Sequence, residues 1–147
     1  MTDNAASATL VPGVRLTPLI RRPTRITCFL FAVAWWTPHR VHYDLEWAAH
    51  EGYGDVMVPG LLLNEYAVTA VTSWTGDPST LRRLTVRYTA PAVAGDTLTI
   101  EPLVTGVSAL NGLRNITFGF EMRRQDGVEV LVGEAVVAVP SADTGVD

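Results

Sequence analysis

The amino-acid sequence predicts a single α+β domain, on three observations. Leu61 to Trp74 is an apolar stretch with helical spacing. From Arg83 onward, apolar and polar residues alternate with a period of two, in segments divided by turn signals. The chain has 147 residues, 48% hydrophobic and 18% charged, which is enough for one real core and short for two.

The elements follow in order. Residues 1–10 are small and polar and are expected to form a flexible tail, as are residues 141–147, leaving 11–140 as the domain. Arg25 to Ala34 is apolar on both alternating faces, with Ile26, Cys28, Leu30 and Ala32 on one and Phe29, Phe31 and Val33 on the other. That pattern predicts a strand buried on both sides. After a loop around His39, Asp44 is placed to cap a helix from Leu45 to about Glu51, ended by Gly52. Gly54 and Pro59 punctuate the next loop.

In the long helix, Leu63, Tyr66, Ala67, Ala70, Val71 and Trp74 share one side, with Glu65, Thr69, Thr72 and Ser73 on the other. Gly76-Asp77-Pro78 stops it. About four strands at meander spacing follow, around Leu84-Val86-Tyr88, Leu98-Ile100, Ile116-Phe118-Phe120-Met122 and Val128 to Val139. Turns are expected at Ala94-Gly95-Asp96, Asn111-Gly112 and Gln125-Asp126-Gly127. A single largely apolar helix needs a sheet to wrap it.

Composition narrows function. A net charge of −4 gives no reason to expect nucleic acid. The chain contains no lysine, which excludes Schiff-base catalysis by a lysine of this chain. Cys28 is the only cysteine, so no internal disulfide and no cysteine-based zinc site is possible, and it reads as a buried small hydrophobe. No basic segment followed by an apolar one marks a secretory signal, and no apolar run approaches the roughly 20 residues that span a bilayer. A cytoplasmic protein with no membrane partner is expected.

The tract Trp36-Thr37-Pro38-His39-Arg40-Val41-His42-Tyr43-Asp44, followed by Val58-Pro59-Gly60, resembles the hydratase signature of the MaoC-like hot-dog family. It is closest to the branch reading His-Arg-Ile-His-Tyr-Asp. Ala32 to Asp44 and Trp74 to Leu84 also look like the small subunit of two-component steroid side-chain hydratases. Val86-Arg87-Tyr88, Pro91 and Gly95-Asp96-Thr97-Leu98 match the family as well, so that the resemblance covers roughly residues 24–106. It implies a single hot-dog fold, a curved antiparallel sheet around one long central helix.

The resemblance also implies an activity: addition of water to a 2-enoyl thioester, or dehydration of a 3-hydroxyacyl thioester, carried by CoA or an acyl-carrier protein. No cofactor is implied beyond the CoA or phosphopantetheine of the substrate. The family pairs an Asp with a His five residues later to hold a water. Here His42 is present and Thr37 stands at the Asp position. His42 is the expected base or acid. Thr37 can hold water through its hydroxyl without taking its proton, or is simply a turn residue ahead of Pro38. The backbone N–H of Gly60 or Leu61, opening the apolar helix, is the expected oxyanion donor.

Arg82, Arg83 and Arg87 form a basic cluster that either grips CoA or carrier phosphates or is a solvated strand face. Trp35, Trp36 and Tyr66 are candidates for an acyl pocket, the tryptophans equally for core. Asp44 reads as a helix cap. His39, His42 and His50 lack a carboxylate or thiolate at ligand spacing, so no metal is expected. Hot-dog hydratases work as dimers, so a homodimer or a heterodimer with another hot-dog subunit is expected. In a heterodimer this chain could be a non-catalytic or half-catalytic subunit. A third reading is an acyl-CoA thioesterase using Glu65 on the central helix.

Overall fold

The computed structural model describes residues 10–141. Five strands form one antiparallel sheet: β1 (Leu19–Arg21), β2 (Leu81–Tyr88), β3 (Leu98–Leu110), β4 (Leu113–Arg124) and β5 (Glu129–Pro140), in the order β1-β3-β4-β5-β2. Three helices, α1 (Arg25–Ala34), α2 (Leu45–His50) and α3 (Gly60–Thr72), lie between β1 and β2. The sheet packs on α3, the layout expected of a hot-dog fold.

The core forms where α3 meets the sheet. Leu62, Leu63, Ala67, Ala70 and Val71 are buried on the helix, and Ile116, Phe118, Phe120 and Met122 on β4. The even residues of β4 thus all point inward, as the period of two requires. Small residues at 67 and 70 let the helix approach the strands closely. Asn111 (φ +51°) and Gly112 (φ +73°) make the two-residue turn that joins β3 to β4, at the expected place. β3, β4 and β5 form a meander, but β2 pairs with β5 rather than β3 and leaves its other side as a sheet edge.

The expected strand at 25–34 is instead a helix. Thr24, extended and preceded by Pro23, accepts a hydrogen bond from the Thr27 N–H and starts α1. Cys28 and Ala32, one turn apart, are buried, whereas Ile26 (71% exposed), Phe29, Leu30 and Val33 face outward. Nearly every position is apolar, so periods of 2 and 3.6 fit equally well, and the outward apolar face concealed the helix. Cys28 is fully buried, and burial pushes its thiol up to about 11.

β1 carried no sequence signal, being three residues long, and β3 extends well beyond the expected Leu98–Ile100. Leu10, assigned to the N-terminal tail, is buried in the core with its carbonyl held by Arg114. Ser141, assigned to the C-terminal tail, bonds to the Gly112 carbonyl, and the rest of both expected tails lies outside the described residues.

Candidate active site

α1 ends in a Schellman motif. The Thr37 N–H donates to the Ala32 carbonyl at 2.8 Å and the Trp36 N–H to that of Val33 at 3.2 Å, with Trp36 in the left-handed region at φ +51°. Glycine is usual there; a tryptophan costs about 1–2 kcal/mol. Trp36 is nevertheless 83% exposed, so packing does not hold it there. The motif spends the Thr37 N–H on the helix end and leaves its hydroxyl 3.5 Å from the same carbonyl, too far for a strong bond. The hydroxyl is therefore available to a ligand.

The chain then turns through a 3-10 segment, Arg40–His42, into α2. The Tyr43 hydroxyl reaches back to the Pro38 carbonyl at 3.1 Å and clamps the loop. Asp44 caps α2 by accepting from the Trp47 N–H at 3.0 Å and pairs with Arg40, and both bonds hold its carboxyl below its ordinary range. Its sequence assignment as a cap holds.

His42 is 9% exposed. Its Nδ1 lies 2.9 Å from the Met57 carbonyl oxygen. A carbonyl only accepts, so Nδ1 carries the proton and the neutral ring keeps its lone pair on Nε2. Burial lowers the His42 pKa below its ordinary 6.5, and neighbouring His39 pushes the same way; the bond to Met57 opposes them. His42 is therefore a neutral base at pH 7. Met57 itself is pinned, its N–H on the Val41 carbonyl and its backbone bridged to Val93.

Three residues beyond Met57, α3 begins, within about 10 Å of chain. Its N-cap, Pro59, has no side chain to satisfy the first N–H groups, so those of Gly60 and Leu61 are open to an anionic oxygen. The Tyr88 ring packs on Gly60, where an added Cβ would meet it at 3.2 Å. The Tyr88 hydroxyl bonds to the Gly60 carbonyl at 3.2 Å and to Asn64 at 2.8 Å. Sequence reasoning gave Tyr88 and Asn64 no role at the site, because only the sheet register brings the end of β2 to the start of α3.

Thr37 and His42 thus flank the turn between α1 and α2, Gly60 and Leu61 follow the Met57 segment that holds His42, and the other candidates are scattered. Arg82 and Arg83 open β2, beyond the C-terminal end of α3 and so about 20 Å of helix from Gly60. Arg82 bonds to the Ser79 carbonyl and Arg83 pairs with Glu134. Arg87, next to Tyr88, is the cluster member at the Gly60 end; it is exposed and makes no ion pair among the described residues.

Trp35 is half exposed and stacked on Phe31, while Tyr66 is half-buried on α3 with its hydroxyl pKa raised by burial. Glu65 is exposed on α3. Among the described residues no three His, Cys, Asp or Glu side chains are grouped to hold a metal, and no helix is long and apolar enough to cross a membrane.

Residues 15–94 match the model of the hydroxyacyl-thioester dehydratase type 2 family. A protein of Clavibacter michiganensis subsp. michiganensis (strain NCPPB 382), described as a UPF0336 protein, is 31% identical over 121 residues, 77% of this chain and 81% of that one. Among solved structures, the (R)-hydratase from A. caviae involved in PHA biosynthesis superposes with a TM-score of 0.80 at 22% identity, covering 90% of this chain and 98% of the hydratase. A chain of the ChsH1-ChsH2 complex from Mycobacterium tuberculosis gives 0.75 at 24% identity, covering 89% and 98%. At these identities the likeness to the solved structures is one of fold.

Proposed function

The chain belongs to the hydroxyacyl-thioester dehydratase type 2 family, and from that premise we propose that it is a hydro-lyase in which His42 is the sole proton-transfer base. The observation that carries the reading is the His42–Met57 bond, which leaves Nε2 unprotonated at neutral pH. In hydration, Nε2 takes a proton from water as its oxygen bonds to C3 of the enoyl thioester. The π electrons move toward the carbonyl, and the resulting enolate oxygen meets the open N–H groups of Gly60 and Leu61. His42 then returns the proton to C2, and the neutral imidazole is restored. Dehydration is the reverse. Thr37 holds water through its hydroxyl, and the substrate brings its own CoA or phosphopantetheine arm.

A partner chain follows from a second observation. Ile26, Phe29, Leu30, Val33, Trp35 and Trp36 form an outward apolar face beside Thr37, and contiguous exposed apolar surface marks an interaction site. The free edge of β2 ends at Tyr88, next to Gly60. A second hot-dog chain covering these features would close the acyl site, as a homodimer or as a two-chain assembly in which this chain supplies His42.

Hydration of short, long and steroid-like 2-enoyl-CoAs, followed with the purified chain and with His42→Ala, tests the reading. Turnover lost on substitution is the expected result. Equal rates in the two proteins would remove His42 from the mechanism. Thr37→Asp, which places a carboxylate beside the same loop, is expected to keep or raise turnover; a tenfold loss would give Thr37 a role of its own.

A further inference from the structure

This inference rests on the hydratase reading: beside the Thr37 hydroxyl, a water activated by His42 needs a donor to fix its lone pairs and aim it at C3, and the nearby carboxylates are committed elsewhere. Asp44 caps α2 and binds Arg40, and Asp55 binds Arg25 through two short bonds. His39 is different. Its Nδ1 lies a long 3.4 Å from the Val41 nitrogen, from whose N–H it can only accept, so in the neutral tautomer the proton sits on Nε2. Its ring lies 6.1 Å, centre to centre, from that of His42, edge to face. Each imidazole has one nitrogen engaged by backbone and one left over. The two remaining nitrogens are of opposite character, a donor on His39 and an acceptor on His42. The spacing of the rings leaves room for one water between them, with two bonds of roughly 2.8 Å each.

We propose that His39 is a substrate-water ligand: its Nε2–H holds the water whose proton passes to His42 Nε2. His39 gains and loses no proton in the cycle, so the balance of the reaction is that of His42 alone. His39 is exposed where His42 is buried, which puts it on the solvent side of the pair, where water enters. The titratable and charged groups on the elements packed against this turn are Arg25 on α1, Asp44, Glu46, His50 and Glu51 on or flanking α2, and Arg40 within it. Of these, Arg25, Arg40 and Asp44 are ion-paired, and Glu51 accepts from the Trp47 indole.

Two substitutions separate this role from a structural one. His39→Asn keeps a side-chain acceptor for the Val41 N–H and removes the far donor; His39→Gln carries an amide N–H near the Nε2 position. Turnover of the enoyl-CoA panel is expected to fall about 10²-fold in His39→Asn, in kcat rather than KM, and to recover at least partly in His39→Gln. By NMR titration, the His42 pKa is expected to rise in His39→Asn, because the water that donates to the His42 lone pair is no longer held. Wild-type kcat in His39→Asn, with His42→Ala inactive, overturns the role of His39 and leaves the hydratase reading standing. An unmoved His42 pKa also overturns it, since a water bonded to both rings would couple His39 to that titration. A folded wild-type chain inactive on the whole panel, both alone and with a second hot-dog chain, overturns both readings.

Discussion

The sheet with α3 and the helical segment from α1 to α2 treat their apolar residues in opposite ways. Around α3, Ile116, Phe118, Met122, Leu131 and Val137 are all fully buried. Across α1 and its cap, five of the large apolar side chains (Ile26, Leu30, Val33, Trp35 and Trp36) are more than half exposed, Trp36 at a strained backbone position. The first region is complete within one chain. The second holds the Thr37 hydroxyl and His42 beside an apolar surface that nothing among the described residues covers. On the proposed reading, stability resides in the one and the proton-transfer base in the other.

That division makes separable predictions. His42→Ala is expected to cost about 10²–10⁴ in turnover with little change in melting temperature; a collapse of the fold would show that the helical segment also carries stability. Phe118→Ala empties the centre of the core and is expected to cost about 3–5 kcal/mol by denaturant unfolding. Trp36→Gly removes a larger ring, yet is expected to leave unfolding within about 0.5 kcal/mol or to stabilise slightly, since the ring is exposed and glycine relieves the left-handed backbone. A loss comparable to that of Phe118→Ala would mean that Trp36 is buried in solution, as by a partner.

The pH dependence is the smallest effect. The folded chain resists protonation of His42, so its pKa lies below 6.5. Turnover should therefore sit on a plateau at pH 7 and fall on the acid side of that lower value. The unfolded chain takes up the proton first, so the stability contributed by the neutral ring is present in full above 6.5 and is lost as pH falls through the folded value. An activity midpoint above 6.5 would require a negative charge near His42 from another chain or from the substrate.

The sheet region was legible in the sequence for the same reason that it is stable. β2 to β5 alternate because one face is buried, and α3 reads as a helix because its small and apolar residues fall on one side. α1 was misread because its outer face breaks the rule that exposed helix surface is polar. Thr24 behind Pro23 and the pair Cys28 and Ala32 were the available signals, and both are short. His42 was found through the pattern around it, whereas its bond to Met57 and the contact of Tyr88 with Gly60 depend on how distant segments meet.

The Tyr88–Gly60 contact makes two distant positions epistatic. The tyrosine ring occupies the room that a side chain at 60 would need, and its hydroxyl ties the first turn of α3 to the end of the edge strand. Alanine at 60 would press on that ring, which must give by a few tenths of an ångström or be replaced by a smaller one. A smaller residue at 88 in turn unties the helix start unless something fills the gap. The costs of changing the two positions are therefore expected to be non-additive, the double change costing less than the sum of the single ones.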